Sequence, residues 1–421
     1  MEVGDEGMRK RALFLLVCAA LLPYLPFLSL PLISDTYTQI FLARQFGAPA
    51  GWGGLAADPL YRCRATSLVF TYVVDAIFGA HPAAHQLFGF FVHAANAILI
   101  YALGRWQPIG YRATLPAALF FAVYEGHQEA VVWVAALPEL LVFFFSLLTL
   151  HAWIRWSQAR FAGWTMPALA TAGFLLALLS KESAVAIVPI LAWVAWRSTW
   201  TARPAWIALA LYGSLSAVYA FLIFNASSHH LHLSDGTFSA SAPFWLTLPH
   251  TVSRMFWFWG LVAIGVLLAF GRWRRRALEF SAVWIVCTLL PYSFLVYMSR
   301  VPSRHTYFAA AGLALGIGEA FMALRDRWRA PWLVPAIAVL VTAHNCGYLW
   351  AKKLPQYKRR AQATEHFLKF AITHEGPIDV SCRGPYPLDV YRHAAAVMLK
   401  RPADSVRERP GPDSFCEDLH P

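Results

Sequence analysis

The chain has 421 residues, of which 58% are hydrophobic and only 14% charged, with a mean hydropathy of +0.48 and a formal net charge of +12. Soluble domains average about 25% charged residues, so the composition excludes disorder and an ordinary soluble enzyme and leaves a polytopic membrane protein. The excess Lys and Arg fall in short loops between apolar runs, a pattern that sets orientation in a bilayer rather than binding nucleic acid.

In chain order, Arg9-Lys10-Arg11 precedes an uncharged run from Ala12 to Ile33. Pro23, Pro26 and Pro31 and the lack of a small-residue cleavage site predict a retained span rather than a signal peptide. Ten further runs follow: Leu87–Leu103, Ala113–Tyr124, Leu140–Ile154, Pro167–Leu179, Ser183–Trp196, Ala205–Phe224, Phe256–Phe270, Ala277–Met298, Tyr307–Leu324 and Pro331–Leu349. The expectation is therefore an all-α polytopic fold of about 11 membrane helices, the short ones borrowing flanking residues or tilting. Thr66–Gly79 is also apolar but carries Asp75, and it is read as a juxtamembrane helix within an outer loop, 34–84. With that segment left outside, most interhelix basic residues fall on the inner side, among them Arg272, Arg274, Arg275, Arg276, Arg325 and Arg327. That places the N-terminus in the cytoplasm and the C-terminus outside, in a membrane taken to be a bacterial inner one.

The same topology gathers Asp35, Asp58, Asp75, Glu125, Glu129, Glu139, Glu182 and Asp235 at the outer face. Residues 1–350 form the membrane domain. From 351 the chain turns polar, and 351–421 reads as a small extracytoplasmic tail: an amphipathic helix over Tyr357–Thr373, a short strand over Ile378–Cys382, a helix over Leu388–Leu399 and a loose Pro/Gly-rich end after Arg401. Cys382 and Cys416 can pair if this tail faces an oxidising compartment.

Four constellations carry chemistry. Asp35 follows the first span directly, as a headgroup-level base or as an N-cap for a helix starting near Tyr37. His127, Glu129 and Glu139 interrupt two apolar runs, either as an acid/base or metal unit or as a solvated hairpin. Lys181-Glu182 forms a second polar break, or a self-neutralising turn. Arg300 and Arg304 with His305 make an anion clamp, or snorkel to headgroups. The His229-His230-Leu231-His232 tract is more simply a solvated cluster than a metal site. His85 and His93 read as buried, hydrogen-bonded histidines. No phosphate-binding glycine loop, CxxC pair or nucleophile elbow is present.

Taken together, these segments resemble a known pattern. Tyr61-Arg62, His85-Gln86-Leu87, His93-Ala94-Ala95-Asn96, His127-Gln128-Glu129-Ala130-Val131, Glu139-Leu140-Leu141, Ser180-Lys181-Glu182 and Arg304-His305-Thr306-Tyr307 stand in the order seen in membrane-embedded GT-C glycosyltransferases. The likeness is to the protein O-mannosyltransferase-like branch, without its tetratricopeptide repeats. It covers about residues 12–350. Cys63-Arg64 replaces the branch's Pro-Leu, and Leu137-Pro138 its Arg.

The resemblance implies transfer of a sugar from a polyprenyl-phosphate-linked donor to an acceptor hydroxyl, with inversion, on the extracytoplasmic face. It implies Asp35 as the catalytic acid position, Arg304, Arg300 and Lys181 at the donor phosphate, and His127, Glu129, Glu182, Glu139, His93 and Arg62 around the acceptor or cavity. Partners are then the lipid-linked sugar, membrane lipids and an acceptor protein or glycan, and no nucleic acid. It names no cofactor, and a divalent metal stays open. A lipid-linked glycan transporter and an inactive scaffold of the same fold remain alternatives.

Overall fold

The computed structural model describes residues 3–198, 201–225, 238–270, 275–296, 302–328, 330, 332–381, 386–409 and 414–416. The chain is an all-α polytopic membrane fold with a small β element near its C-terminus. The described part of each of the eleven apolar runs is largely helical. Among the described residues, six helices are long and apolar enough to cross a membrane: Gly7–Ser29, Pro82–Arg105, Val134–Gln158, Arg203–Asn225, Arg276–Phe294 and Leu333–Thr373. A pair bent by 78°, Phe244–Phe256 and Trp259–Phe270, makes a seventh if counted as one span. Tyr111–Val123 and Thr165–Leu178 are shorter apolar helices. Two predicted spans fall on helices that meet neither description. Ser183–Trp196 becomes the 12-residue helix Ile187–Ser198, and Tyr307–Leu324 becomes Ala310–Arg327, which ends in Arg325, Asp326 and Arg327.

Position in the bundle follows from what each helix buries. Val134–Gln158 has 78% of its apolar window buried and is central, whereas Arg203–Asn225 has 11% and faces outward almost all round. Phe14, Trp164, Phe221 and Leu268 are exposed apolar side chains of the kind a lipid tail covers. The core joins Phe90, Phe121, Phe143, Trp153, Trp284 and Tyr307. Glycine permits the closest approach. A Cβ on Gly318 would sit 2.3 Å from the Ala113 carbonyl oxygen, so Ala310–Arg327 meets Tyr111–Val123 at backbone contact.

Between the first span and Pro82–Ala102 lie the helices Thr36–Phe46, Trp52–Ala57 and Ala65–Phe78. Asp75, which kept Ala65–Phe78 from being read as a span, is paired with Arg44 at 2.8 Å.

The tail is more ordered than expected. Leu333–Tyr348 continues without a break through a π-helical stretch, Leu349–Lys353, into Leu354–Thr373, so the polar helix begins earlier than Tyr357. Pro355 follows the π-helical stretch directly, inside this continuous helix. After Arg401 the chain forms the strand Val406–Glu408 rather than a loose end. It pairs in parallel with Ile378–Val380, register Ile378 to Val406, across the helix Leu388–Leu399. Phe367, Tyr391 and Val406 share a core with Leu32, Tyr37 and Ile40, which docks the tail on Thr36–Phe46.

Candidate functional site

The site is organised by one short turn. Pro302 is extended, and Ser303–Thr306 then forms a single 3-10 turn before Ala310–Arg327. With three residues per turn, neighbouring side chains diverge by about 120°. Arg304 and His305 therefore enter two different polar clusters.

In the first cluster, Arg304 Nη1 lies 2.5 Å from Glu129 Oε1, and its backbone N–H donates to Glu129 Oε2 at 3.2 Å. Ser303 Oγ donates to the same oxygen at 3.0 Å and accepts from Gln128 Nε2 at 2.9 Å. The Arg304 guanidinium also stands 5.1 Å over the Trp133 ring. Burial alone pushes Glu129 up, but the Arg304 charge and these hydrogen bonds outweigh it and hold the carboxyl below its ordinary range.

The second cluster is drier. Glu139 accepts from Lys181 Nζ and, at 3.0 Å, from the Tyr292 hydroxyl. His305 Nδ1 lies 2.6 Å from Glu139 Oε1 and 3.1 Å from Lys181 Nζ, and its ring stacks on Tyr292 with centroids 4.6 Å apart. Burial, then the Lys181 charge, lower the His305 pKa and keep the ring neutral, with Glu139 opposing. The cluster is thus one carboxylate and one ammonium, both almost fully buried. Glu182, next along, pairs outward with Arg64 at 3.1 Å.

Asp35 opens the helix Thr36–Phe46, as the N-cap reading foresaw, but its side chain caps no backbone N–H. Its hydrogen bond comes from Ser34 Oγ, at 3.2 Å. Ser34 has φ 49°, a left-handed conformation that a non-glycine residue adopts only when its surroundings hold it there. Asp35 is exposed at the surface, yet protein displaces much of the water around it. That raises its pKa, opposed by Ser34 and by the nearby Arg304 charge.

Two cavities flank the turn. One, of about 230 Å³, has apolar walls including Tyr219, Ile223, Phe224, Phe238 and Leu295, and meets Lys181, Glu182 and His305. The other, of about 800 Å³, is lined by Glu125, Gln128, Arg254, Ser303, Thr306, Lys352 and Lys353 among others. Asp35 lines neither.

Of the residues marked from sequence, Glu129 and Arg304 come together, as do Glu139 and Lys181, and Glu182 lines the smaller cavity. His93 and His127 sit in the core instead. His93 Nε2 donates to the Ala122 carbonyl at 3.0 Å, so Nδ1 accepts from the Tyr307 hydroxyl at 2.8 Å. His127 is fully buried among the rings of Phe121, Tyr124, Tyr307 and His93. Both lie in the core; the resemblance sets both around the acceptor or cavity, while the residues alone read His93 as a buried, hydrogen-bonded histidine. Arg62 reaches away to the Leu222 carbonyl at 2.7 Å. Arg300, Cys382, Asp235 and the 229–232 histidine tract lie outside the described residues. Cys416 is disulfide-bonded, while Cys18, Cys63, Cys287 and Cys346 are free. Among the described residues no three His, Cys, Asp or Glu side chains gather into a metal site. Sequence reasoning missed Tyr292, Arg254, Lys352 and Lys353. The two lysines were visible only as a basic membrane edge, and Tyr292 had no polar neighbour in sequence to mark it.

The fold and this arrangement define a helical membrane protein with a polar site at one end of its bundle. No protein-family model matches the chain, and no curated protein matches it in sequence. Among solved structures, it is similar to the Archaeoglobus fulgidus oligosaccharyltransferase tethered to an acceptor peptide containing the NVT sequon. That match has 14% identity and a TM-score of 0.52, and covers 93% of this chain and 63% of the archaeal one. It is likewise similar to ArnT from Cupriavidus metallidurans bound to undecaprenyl phosphate, at 14% identity and a TM-score of 0.52, covering 92% of this chain and 88% of that one. Both are GT-C glycosyltransferases, and the chain has their fold.

Proposed function

We propose that the chain is an inverting glycosyltransferase that moves a sugar from a polyprenyl-phosphate-linked donor to an acceptor hydroxyl on the extracytoplasmic face. The likeness over almost the whole chain to a fold solved with undecaprenyl phosphate carries this reading. In it the N-terminus is cytoplasmic, and the end bearing the 303–306 turn and the tail is outside.

Asp35 acts as the base. It takes the proton of the acceptor hydroxyl while that oxygen attacks the anomeric carbon. The carbon's bond to the phosphate oxygen breaks, and the polyprenyl phosphate leaves with the electron pair. A raised Asp35 pKa makes it a better base than an ordinary aspartate, and a phosphate needs little protonation to leave. The Glu129–Arg304 cluster fixes the turn beside Asp35, and the Glu139–Lys181–His305 cluster anchors its other face. The mannosyl-type sugar of the resembling branch is the first donor to try.

The test is transfer in proteoliposomes supplied with a polyprenyl-phosphate hexose. Asp35→Asn keeps the shape and removes the base, and should lower the rate by about 10²–10⁴-fold. Transfer at the wild-type rate would remove Asp35 from the mechanism.

A further inference from the structure

Of the cations that the sequence offers to a donor phosphate, Arg300 lies outside the described residues, and Arg304 and Lys181 already hold a carboxylate, Glu129 and Glu139. Their charge is answered within the protein. The large cavity on the opposite side of the turn is different. Arg254, Lys352 and Lys353 line it together with His250, and among the described residues no carboxylate pairs with Arg254, Lys352 or Lys353. The direct contacts of the two lysines are uncharged, and the opposite charge that reaches Lys353 is that of Glu129, which Arg304 already holds. Both ammonium groups stand 5.7 Å from the Tyr348 ring, and Lys353 donates to Gln356 Oε1 at 3.2 Å.

The one acid on the wall is Glu125. Its Oε2 is shut off from solvent without a hydrogen-bond partner, and burial raises its pKa toward the neutral form. It therefore answers little of the cationic charge.

The scaffold around the cations is built. Lys352 and Lys353 sit in the π-helical stretch Leu349–Lys353, a register change common at functional positions, and Trp350 Nε1 ties that stretch to the Pro23 carbonyl at 2.9 Å. Asn345 Oδ1 accepts from the Glu125 backbone N–H at 2.9 Å, and the Tyr124 hydroxyl donates to the Met255 carbonyl at 3.1 Å. Arg254 comes from the helix Phe244–Phe256, whose first turn exposes Phe244, Trp245 and Leu246. After it the chain bends by 78°, with Trp257 73% exposed at the break. A phosphate seated on the cations thus has an apolar, aromatic exit beside it, which suits a phosphate carried on a lipid and not a free one.

The geometry points to this cavity, through Arg254, Lys352 and Lys353, as the seat of a lipid-linked phosphate. It rests on the proposed function for the identity of the lipid, and it moves the phosphate from Arg304 and Lys181 to the far side of the 303–306 turn. Ser303 and Thr306 line the cavity, so the anion lies against the same turn that holds Glu129 and His305.

The experiment measures retention of radiolabelled undecaprenyl phosphate by the full chain in phosphatidylcholine nanodiscs, with sugar transfer assayed separately. The double variant Arg254→Gln/Lys352→Gln removes two exposed charges and should weaken retention tenfold or more, at about 1.4 kcal/mol per tenfold. Arg254→Lys should keep most of it. Inorganic phosphate should compete poorly, and exchanging the bulk lipid for phosphatidylglycerol should not displace the probe. Unchanged retention by the double variant overturns the assignment, as does complete displacement by phosphatidylglycerol, which would make the cavity a seat for bulk headgroups. No retention by the wild type overturns it too. Retention that depends on Arg254 and Lys352 without transfer of any hexose supports the phosphate seat and counts against the enzymatic reading alone.

Discussion

Two ion clusters hang from adjacent residues of one turn, and water reaches them unequally. In the Glu139–Lys181 pair both side chains are 4% exposed, whereas in the Glu129–Arg304 pair they are 12% and 23% exposed. The dry pair has lost its hydration and is held by its internal contacts alone: Lys181, the Tyr292 hydroxyl and the His305 ring around one carboxylate. The wetter pair shares a solvated edge and reaches Asp35 with its charge. The contrast separates a structural rivet from a group that can still respond to substrate. A charge cut off from water is costly to expose or leave single, while one at the edge can rearrange.

The largest expected effect breaks the dry pair. Lys181→Met leaves Glu139 charged in a closed site with only neutral donors, and removing one partner of a buried pair costs about 3–5 kcal/mol. Thermal unfolding in detergent should show a large drop in Tm or a loss of folded protein. The double variant Glu139→Gln/Lys181→Met removes both charges and should regain much of that loss. If the double variant is as unstable as the single one, the cluster is not a mutually neutralising pair.

How much of this was legible in the sequence follows the same division. The helices were legible because lipid demands long apolar runs, and the described part of each run is largely helical. Runs of intermediate length said less, since Ala310–Arg327 packs into the core through Gly312 and Gly318, which close packing needs and hydropathy does not register. In the tail, Leu388–Leu399 was readable from its period, but Val406–Glu408 is three residues long and finds its partner 28 positions earlier, beyond any local pattern. At the site, Glu129, Glu139, Lys181 and Arg304 stood out because charges between apolar runs are rare. Their pairing did not, because it depends on the turn that sends Arg304 and His305 apart. His127 stood out for the same reason and misled, because a polar break in sequence folded into an aromatic core.

A middle effect compares the two exposed-edge carboxylates by pH. Glu129 has a lowered pKa, so its folded form favours the charged state. The stability it adds is fully present above the ordinary glutamate value of about 4.3 and fades as pH falls through its lowered value. Asp35 has a raised pKa, so its base form is lost at a higher pH than an ordinary aspartate would lose it. Lowering the pH should therefore remove transfer activity before it removes stability. Activity is read from the acid limb of kcat/KM, and stability from unfolding at each pH. Glu129→Gln should remove that residue's share of the acid-side loss of stability, with the other paired carboxylates keeping theirs, and leave the activity limb in place. Coincident limbs would mean that one titration governs both, and would remove Asp35 as a distinct base.

The smallest effect comes from the third ion pair along this face. Glu182 and Arg64 are 36% and 25% exposed, with one Arg64 nitrogen at 3.1 and 3.2 Å from the two carboxylate oxygens. Glu182 follows Lys181 directly in sequence, so the two pairs differ in little but access to water. Pairs this wet contribute about 0–1 kcal/mol and weaken with salt. Glu182→Gln should lower Tm by no more than a few degrees at low ionic strength, and by less as salt is raised, while the loss in Lys181→Met should be insensitive to salt. Because Glu182 also lines the smaller cavity, a change in KM with stability intact would place substrate there. A salt-independent loss as large as that of Lys181→Met would show that burial does not separate these pairs, and the distinction between rivet and responsive edge would fall with it.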